Sequence, residues 1–550
     1  MKEPENEHID LSNQLLQSLL DSIQHTQNFR GKWSLIRTKL TDLKTQLADL
    51  ADSPPNSLSQ ELFHSVSDTL SDALSLSKAC RNPTLPDGKL KTQNDVDSVS
   101  AKLDRHIRDS DVLIKSGVLQ DDAVLRSSST SKRESVRVEA RNLITRLQIG
   151  SVESKNSALD SLLGLLQEDD KNVLIAVAQG IVPVLVRLLD SSSTPEVKEK
   201  TVTAVARISV VDSSKHVLIA EGLLLLNHLV RVLESGSGFS KEKACIALQA
   251  LSYSKENARA IGSRGGISSL LEICQAGTPG SQAVAAGVLR NLAGFSDTKE
   301  NFIEESAISV LITLSSSGTA LAQENAIACL SNLVTEDENL KLLIAREGGI
   351  ENLKNFWDSV PTVRSLEVAV DLLRNLASCP LIAEVLVSEG FIPRLVSVLN
   401  CGVLGVRIVA AKAVSELGFN TKTRRDFGEN GCISSLIRML DGKATEEREA
   451  AAKALSTLMA YAGNRRIFRK EERGIVSVVQ LLDPLIQNLD KKYPVSILAS
   501  LVHSKNCRKQ MVASGAHVYL QKLVEMEVEG AKKLAESFGR GKLWGVFARP

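Results

Sequence analysis

The sequence predicts an all-α chain: a helical bundle at the N-terminus, followed by a superhelical solenoid of short helices. Three observations carry this. The pentapeptide LRNLA occurs at Leu289–Ala293 and again at Leu373–Ala377, with LSNLV at Leu330–Val334 between them. Glycine-plus-apolar steps, some with a small residue for the glycine, recur through most of the chain. Aromatic residues make up only 3% of the 550 residues, although 43% are hydrophobic. A core poor in Phe, Tyr and Trp is filled by Leu, Ile, Val and Ala, which suits stacked helices better than sheets.

The bulk charge narrows the partners. Net charge is +1, from 66 basic and 65 acidic residues, so no nucleic-acid partner is expected. Eight cysteines are scattered without a CxxC spacing, mostly within apolar helical stretches such as KACIALQAL. They read as small buried hydrophobes in a reducing compartment. The N-terminus MKEPENEHIDL has no signal-peptide core, and Lys2 excludes N-myristoylation.

Residues 1–115 are expected to form the bundle. Leu15, Leu19 and Ile23 mark a first amphipathic helix, and Trp33, Ile36, Leu40, Leu43 and Leu47 a second. Pro54-Pro55 ends it, because proline cannot continue a helix. Leu62, Phe63, Val66, Leu70 and Leu74 mark a third, and Val96, Val99, Leu103 and Ile107 a fourth. Four helices of this length fit an up-down arrangement. A serine-rich linker, 116–132, follows. Its RSSSTSKR stretch, Arg126–Arg133, reads as a solvated linker or a phosphorylation site.

From residue 133 to 538 the chain is periodic. The steps fall at Gly180, Gly222, Gly266, Ala307, Gly349, Gly390, Cys432, Gly474 and Gly515, spaced by 42, 44, 41, 42, 41, 42, 42 and 41 residues. A period of this size signals a repeat architecture. In Lys255–Phe295 a short helix ends at Gly265-Gly266, where glycine lets the chain turn. A second helix carries Ile267, Leu270, Leu271 and Ile273. A third carries Ala283, Ala286, Leu289 and Leu292 on its inner side. Pro195, Pro279 and Pro361 fall near the start of third helices, where a missing N–H costs nothing. Pro183 and Pro393 fall in the first turn of second helices. The apolar run Val173–Leu189, which mimics a membrane span, is thus two helices with a glycine turn between them.

Three helices per unit, the glycine turn, the GGI step and the LxNL motif together resemble the armadillo repeat. About nine full units and a partial first unit, whose third helix contains Asn156–Leu166, are covered. The resemblance implies a right-handed superhelical solenoid whose concave side is lined by third helices. One unit cannot bury its own apolar face, so stacking makes the core. The N-terminal segment, above all FRGKWSLIRTKLTDLKTQLADL, resembles the helical domain that precedes the U-box in plant U-box/armadillo ubiquitin ligases. Only Gln120–Ser135 lies between bundle and repeats, too little for a U-box. The chain is therefore identified as an armadillo-only relative of those ligases.

Catalytic grammar is missing. There is no GxxxxGK[ST], HExxH, GxSxG or GxGxxG after a strand, and the eight histidines do not cluster at ligand spacing. The acidic pairs Glu304-Glu305 and Glu446-Glu447 read as solvated helix ends. No enzyme activity, cofactor or metal is expected.

The resemblance also implies a site. In armadillo proteins a third-helix asparagine lines the groove and pins the main chain of an extended ligand through its amide. Carried over by position, this implicates Asn291, Asn332 and Asn375 as the peptide-binding groove, with Arg290 and Arg374 beside two of them. The equivalent positions elsewhere are Arg207, Ala250, Glu416, Thr457 and Ser500. The tryptophans that importin-α-like carriers place four residues earlier are here Gly287, Ala328 and Asp371, which disfavours basic nuclear cargo. Arginines facing the groove would favour an acidic or phosphorylated segment. Neutral hydrogen bonds stabilise by about 1 kcal/mol each, and micromolar binding needs about 8 kcal/mol, so the asparagines set register rather than affinity.

The expected function is a non-enzymatic scaffold that binds an extended segment of a protein partner in the groove. One alternative is a peripheral membrane tether using the bundle and the basic-aromatic tail 539–550, a tail that otherwise reads as a cap on the last repeat. Another is a non-catalytic adaptor or competitor in ubiquitin ligation, with a U-box ligase as partner. The expected location is cytoplasmic, with nuclear or membrane-peripheral placement as alternatives.

Overall fold

Helices account for the regular structure in the computed structural model, which describes residues 4–53, 57–82, 84–119, 132–190, 192–359, 363 and 365–539. No strand occurs among them. Pro361, most of the serine-rich linker and the tail beyond residue 539 lie outside the described residues. The chain divides into two compact units, Met1–Leu251 and Ser252–Pro550.

The first unit opens with α1 (Pro4–Ile23), α2 (Arg30–Ala51), α3 (Ser57–Ala79) and α4 (Lys89–Lys115). Side-chain register shows how they run. Ser12 Oγ lies 2.7 Å from Ser67 Oγ, and Ser22 Oγ 2.6 Å from Ser77 Oγ. Both pairs are 55 residues apart, so α1 and α3 run parallel, with small serines allowing close approach. Lys32 donates to Asp97 at 2.6 Å and Lys39 to Asp104 at 2.7 Å, both 65 residues apart, which makes α2 and α4 parallel too. Trp33, Ile36, Leu40, Leu43, Val66, Leu70, Val96 and Leu103 are fully buried at the centre. His106 Nε2 lies 2.9 Å from Thr69 Oγ1, and burial lowers the His106 pKa to about 4. The imidazole is therefore neutral at ordinary pH.

The remaining helices repeat in threes. In the first unit the third helices are α5 (Val152–Glu168), α6 (Pro195–Ser209) and α7 (Gly238–Leu251). In the second they are α8 (Pro279–Ala293), α9 (Ala320–Leu333), α10 (Leu366–Ala377), α11 (Leu404–Leu417), α12 (Thr445–Leu458) and α13 (Lys492–Leu501). Within each unit, consecutive third helices pack side by side. The leucines of the recurring motif explain why: Leu289, Leu292, Leu333, Leu373 and Leu376 are fully buried. Truncating one such leucine to alanine costs about 2–5 kcal/mol in a well-packed core.

Local signals set the helix ends. Thr194, Thr278 and Thr319 cap α6, α8 and α9 by accepting the N–H of Val197, Ser281 and Ala322, and Pro195 and Pro279 occupy the first helical turn. At the other end, a polar residue of the following unit covers an orphan carbonyl. Asn172 donates to Leu165 O, Ser214 to Ile208 O, Thr298 to Leu292 O and Asn464 to Leu458 O.

At four of the marked steps the left-handed residue is the one just before the mark: Gly265, within the expected Gly265-Gly266 turn, and likewise Gly348, Ser306 and Gly431. Gly266 has another duty: a Cβ there would sit 2.6 Å from Ile261 Cγ2, so this glycine serves packing. At Gly474 no left-handed residue occurs, because Arg473 before it has φ −86°. The apolar run near Val173 is two helices, Asp170–Ala178 and Ile181–Leu188, bent by 85°. Among the described residues no single helix is long and apolar enough to cross a membrane. Seven cysteines are buried, and burial pushes the Cys274 thiol up to about 12.

Candidate functional site

The asparagines on α8, α9 and α10 point their amides along the stack. Asn291 Nδ2 donates to Ser252 Oγ at 2.9 Å, and Asn332 Nδ2 to Arg290 O at 3.0 Å. Asn375 Nδ2 donates to Ser331 O at 3.1 Å and to Ser331 Oγ at 2.9 Å. For Asn332 and Asn375 the acceptor lies on the third helix of the preceding repeat. Each amide thus ties two repeats together. Asn375 is 6% exposed, while Asn291 and Asn332 are half-buried. The side-chain oxygen of Asn332 accepts no hydrogen bond among the described residues, whereas its backbone carbonyl accepts from Thr335 Oγ1 at 3.1 Å.

Both arginines are also engaged. Arg290 Nη1 donates to Asn325 Oδ1 at 3.4 Å, and the buried Asn325 amide donates in turn to Ala283 O at 3.0 Å. Arg374 binds Asp371 of its own helix, with Nη2 2.8 Å from Oδ1. The other Asp371 oxygen accepts Ser331 Oγ at 2.7 Å. Asp371, Arg374, Ser331 and Asn375 therefore form one network across α9 and α10. Arg374 does not stand alone as a cation on this face, which weakens the argument for an acidic ligand there.

Beyond α10 the face changes character. Arg374, Lys412, Glu416, Glu446, Glu449, Lys453 and Tyr493 line an open cavity of about 610 Å³ walled by α10, α11, α12 and α13. Lys412 meets Glu446 at 2.8 Å and Lys453 meets Glu416 at 3.6 Å, both between α11 and α12. Of these, the sequence pointed to Arg374 beside an asparagine, Glu416 at a departed asparagine position and Glu446 as a solvated acid, but not to Lys412, Glu449, Lys453 or Tyr493. A signal was present: Lys412 and Glu416, like Glu449 and Lys453, are four residues apart on one helix, so both share a face.

Glu447 corrects a reading. Glu304, Glu305 and Glu446 are exposed as expected, but Glu447 is 4% exposed. Its carboxylate meets Arg407 Nε at 2.7 Å, and Arg407 Nη1 donates to Cys401 O at 2.8 Å. Third helices thus carry an ion pair with a buried carboxylate and a partly exposed arginine, which the sequence alone did not separate from solvated acids.

Three-helix units, stacked third helices and their hydrogen-bonding face define an armadillo-type solenoid. A family model described as armadillo/beta-catenin-like repeat matches residues 169–210, and one described as a domain of unknown function (DUF7032) matches residues 10–118. U-box domain-containing protein 8 of Arabidopsis thaliana is 26% identical over 252 residues, 45% of this chain and 61% of that protein. U-box domain-containing protein 10 of the same plant is 28% identical over 82 residues, 15% of this chain and 13% of that protein. The matches thus span less than two thirds of either relative. The crystal structure of an engineered protein superposes with a TM-score of 0.63 at 23% identity, covering 73% of this chain and 98% of that one, a likeness of fold. The chain thus has an armadillo-type fold and is similar, over part of their length, to U-box domain-containing proteins of Arabidopsis thaliana.

Proposed function

We propose that this chain is a non-enzymatic, cytoplasmic scaffold that holds an extended segment of a partner protein along the third helices α8–α13. The observation that supports it best is the open cavity of about 610 Å³ that follows directly on the asparagine-bearing helices. A segment laid across α9 and α10 meets the side-chain Oδ1 of Asn332, an acceptor for a ligand N–H. It then passes the charged side chains of the cavity, which supply side-chain contacts. The asparagines act in two ways at once: their amides hold the repeats in register, and the half-buried ones add polar contacts to the ligand.

Capture from plant extract, quantified by mass spectrometry, tests this with three full-length baits and circular dichroism on each. One is unchanged. One carries Glu416→Lys with Glu449→Lys in the cavity. One carries Arg394→Ala on a second helix as a control. The expected outcome is a partner set retained by the control and lost by the cavity variant. Equal sets on all three baits would remove the third-helix face as the binding site.

A second reading draws on the relatives. Similarity to two U-box proteins favours a partner within ubiquitin ligation, with this chain as adaptor or competitor. Recovery of U-box proteins in the same capture experiment would support it, and their absence would count against it.

A further inference from the structure

The chain is nearly neutral, but its cations are not evenly spread. In the last three repeats the first helices are Thr421–Glu429, Ala462–Phe468 and Lys505–Ala513. Each carries two adjacent cations: Arg424-Arg425, Arg465-Arg466 and Arg508-Lys509. Ala462–Phe468 and Lys505–Ala513 contain no acid, while Thr421–Glu429 contains Asp426 and Glu429. By contrast Lys299–Glu304 and Pro380–Ser388, first helices of earlier repeats, hold more acids than cations.

Within a pair the two side chains have different tasks. Arg424 Nε donates to Gly418 O at 2.8 Å, and Arg465 Nη1 to Met459 O at 2.9 Å. These half-buried arginines cap the carbonyls that close α11 and α12. The second cation of each pair, Arg425, Arg466 or Lys509, is exposed. Arg466 and Lys509 make no hydrogen bond or ion pair among the described residues. Arg425 meets its own helix only loosely, Asp426 at 3.5 Å and Glu429 at 3.7 Å. The exposed Glu472 stands between the exposed cations Lys470 and Arg473, so it does not reverse the sign.

The helices are stacked in chain order. Asn464 Nδ2 donates to Arg424 O at 2.7 Å, which sets Ala462–Phe468 against Thr421–Glu429. Lys505–Ala513 packs on Gly474–Gln480, the second helix of the repeat before it. Each repeat thus offers one outward cation along this edge of the second unit. None of the three helices exposes a large hydrophobic side chain, so the edge has nothing to insert into a bilayer.

We propose that this edge docks an extended acidic segment of a partner protein, with a carboxylate at every third residue facing Arg425, Arg466 and Lys509 in turn. Packed helices lie roughly 8–10 Å apart, and extended chain advances roughly 3.3 Å per residue, so three ligand residues match one repeat. The guanidinium fork suits a carboxylate. A nucleic-acid strand spaces its phosphates more closely, roughly 3.4 Å apart along the duplex axis. The surface lies on first helices, so its test is independent of the third-helix face.

The probe is a fluorescein-labelled twelve-residue peptide of Gly and Ser with Glu at every third position, followed by anisotropy with the full-length chain in low salt. A second peptide has the same composition with its Glu residues contiguous. The spaced peptide is expected to bind several-fold tighter than the contiguous one. The triple variant Arg425→Gln, Arg466→Gln, Lys509→Gln should weaken it several-fold, and so should Arg466→Glu alone. A control with the same loss of charge on α4, Lys91→Gln, Lys102→Gln, Lys115→Gln, should leave it unchanged. Circular dichroism on each variant confirms the helices. Four results overturn the proposal: no binding of the spaced peptide; equal binding of the two peptides; equal weakening by the α4 control; and tighter binding, through the same three cations, of oligothymidylate or of phosphatidylserine vesicles.

Discussion

Helices α8–α10 and α11–α13 are built from the same repeat, yet they join their neighbours by different physics. In α8–α10 neutral amides donate to the preceding repeat, at 2.9–3.1 Å for Asn291, Asn332 and Asn375. In α11 and α12 the links are ionic: Arg407–Glu447, Lys412–Glu446 and Lys453–Glu416. A neutral hydrogen bond is short-ranged and indifferent to salt. An exposed ion pair is screened by salt, and a buried one is costly to break. The repeat scaffold tolerates both because the leucines beneath do most of the packing. What differs is how each stretch responds to solution conditions and to a charged ligand.

The largest test of this contrast is Glu447→Ala. Removing buried Glu447 leaves the partly exposed Arg407 without its carboxylate, at an expected cost approaching the roughly 3–5 kcal/mol of a fully buried pair. Repeat arrays can unfold locally, so the measurement is hydrogen exchange resolved by helix. Faster exchange in α11 and α12, with α8 and α9 unchanged, is expected. Uniform acceleration across all six helices would show that the two stretches are one cooperative body.

Asn375→Ala should come next, at about 1–3 kcal/mol, because it removes two buried hydrogen bonds, to Ser331 O and Ser331 Oγ, although Thr335 Oγ1 still donates to that carbonyl. Its effect should be the same at low and high salt. A marked salt dependence would mean that the Asp371–Arg374 pair, rather than the amide, carries the link. Asn332→Ala, at a half-buried position, should cost less, about 1 kcal/mol. If it costs as much as Asn375→Ala, burial is not what separates them.

The smallest expected effect is Lys412→Gln, about 0.2–1 kcal/mol, since the pair with Glu446 is exposed. Urea melts at low salt and at 1 M NaCl check it. The difference from the unchanged chain should vanish at high salt, where the screening length is about 3 Å. A difference that persists would assign Lys412 a packing role through its aliphatic stem.

The sequence by itself determined the all-α class, the helices of the bundle, the 42-residue period and the position of the third helices. These follow from signals that act within a few residues: apolar spacing, a proline in the first turn, a threonine cap, a glycine turn. Even the false membrane span resolved this way, because Gly180 sits between its two helices. The side chain of Asn291, Asn332 or Asn375 could be placed on a helix in the same manner, but its partner could not. That partner lies 39–44 residues away, and the register between stacked repeats decides it. The same holds for Glu447, which looks like its exposed neighbour Glu446 until Arg407 is brought against it. The turn at Gly265-Gly266 was legible, but which of the two glycines is left-handed was not: Gly265 turns the chain, while Gly266 packs against Ile261. Tertiary structure alone decided these points, because hydrogen bonds and ion pairs between repeats depend on distances that no single repeat contains.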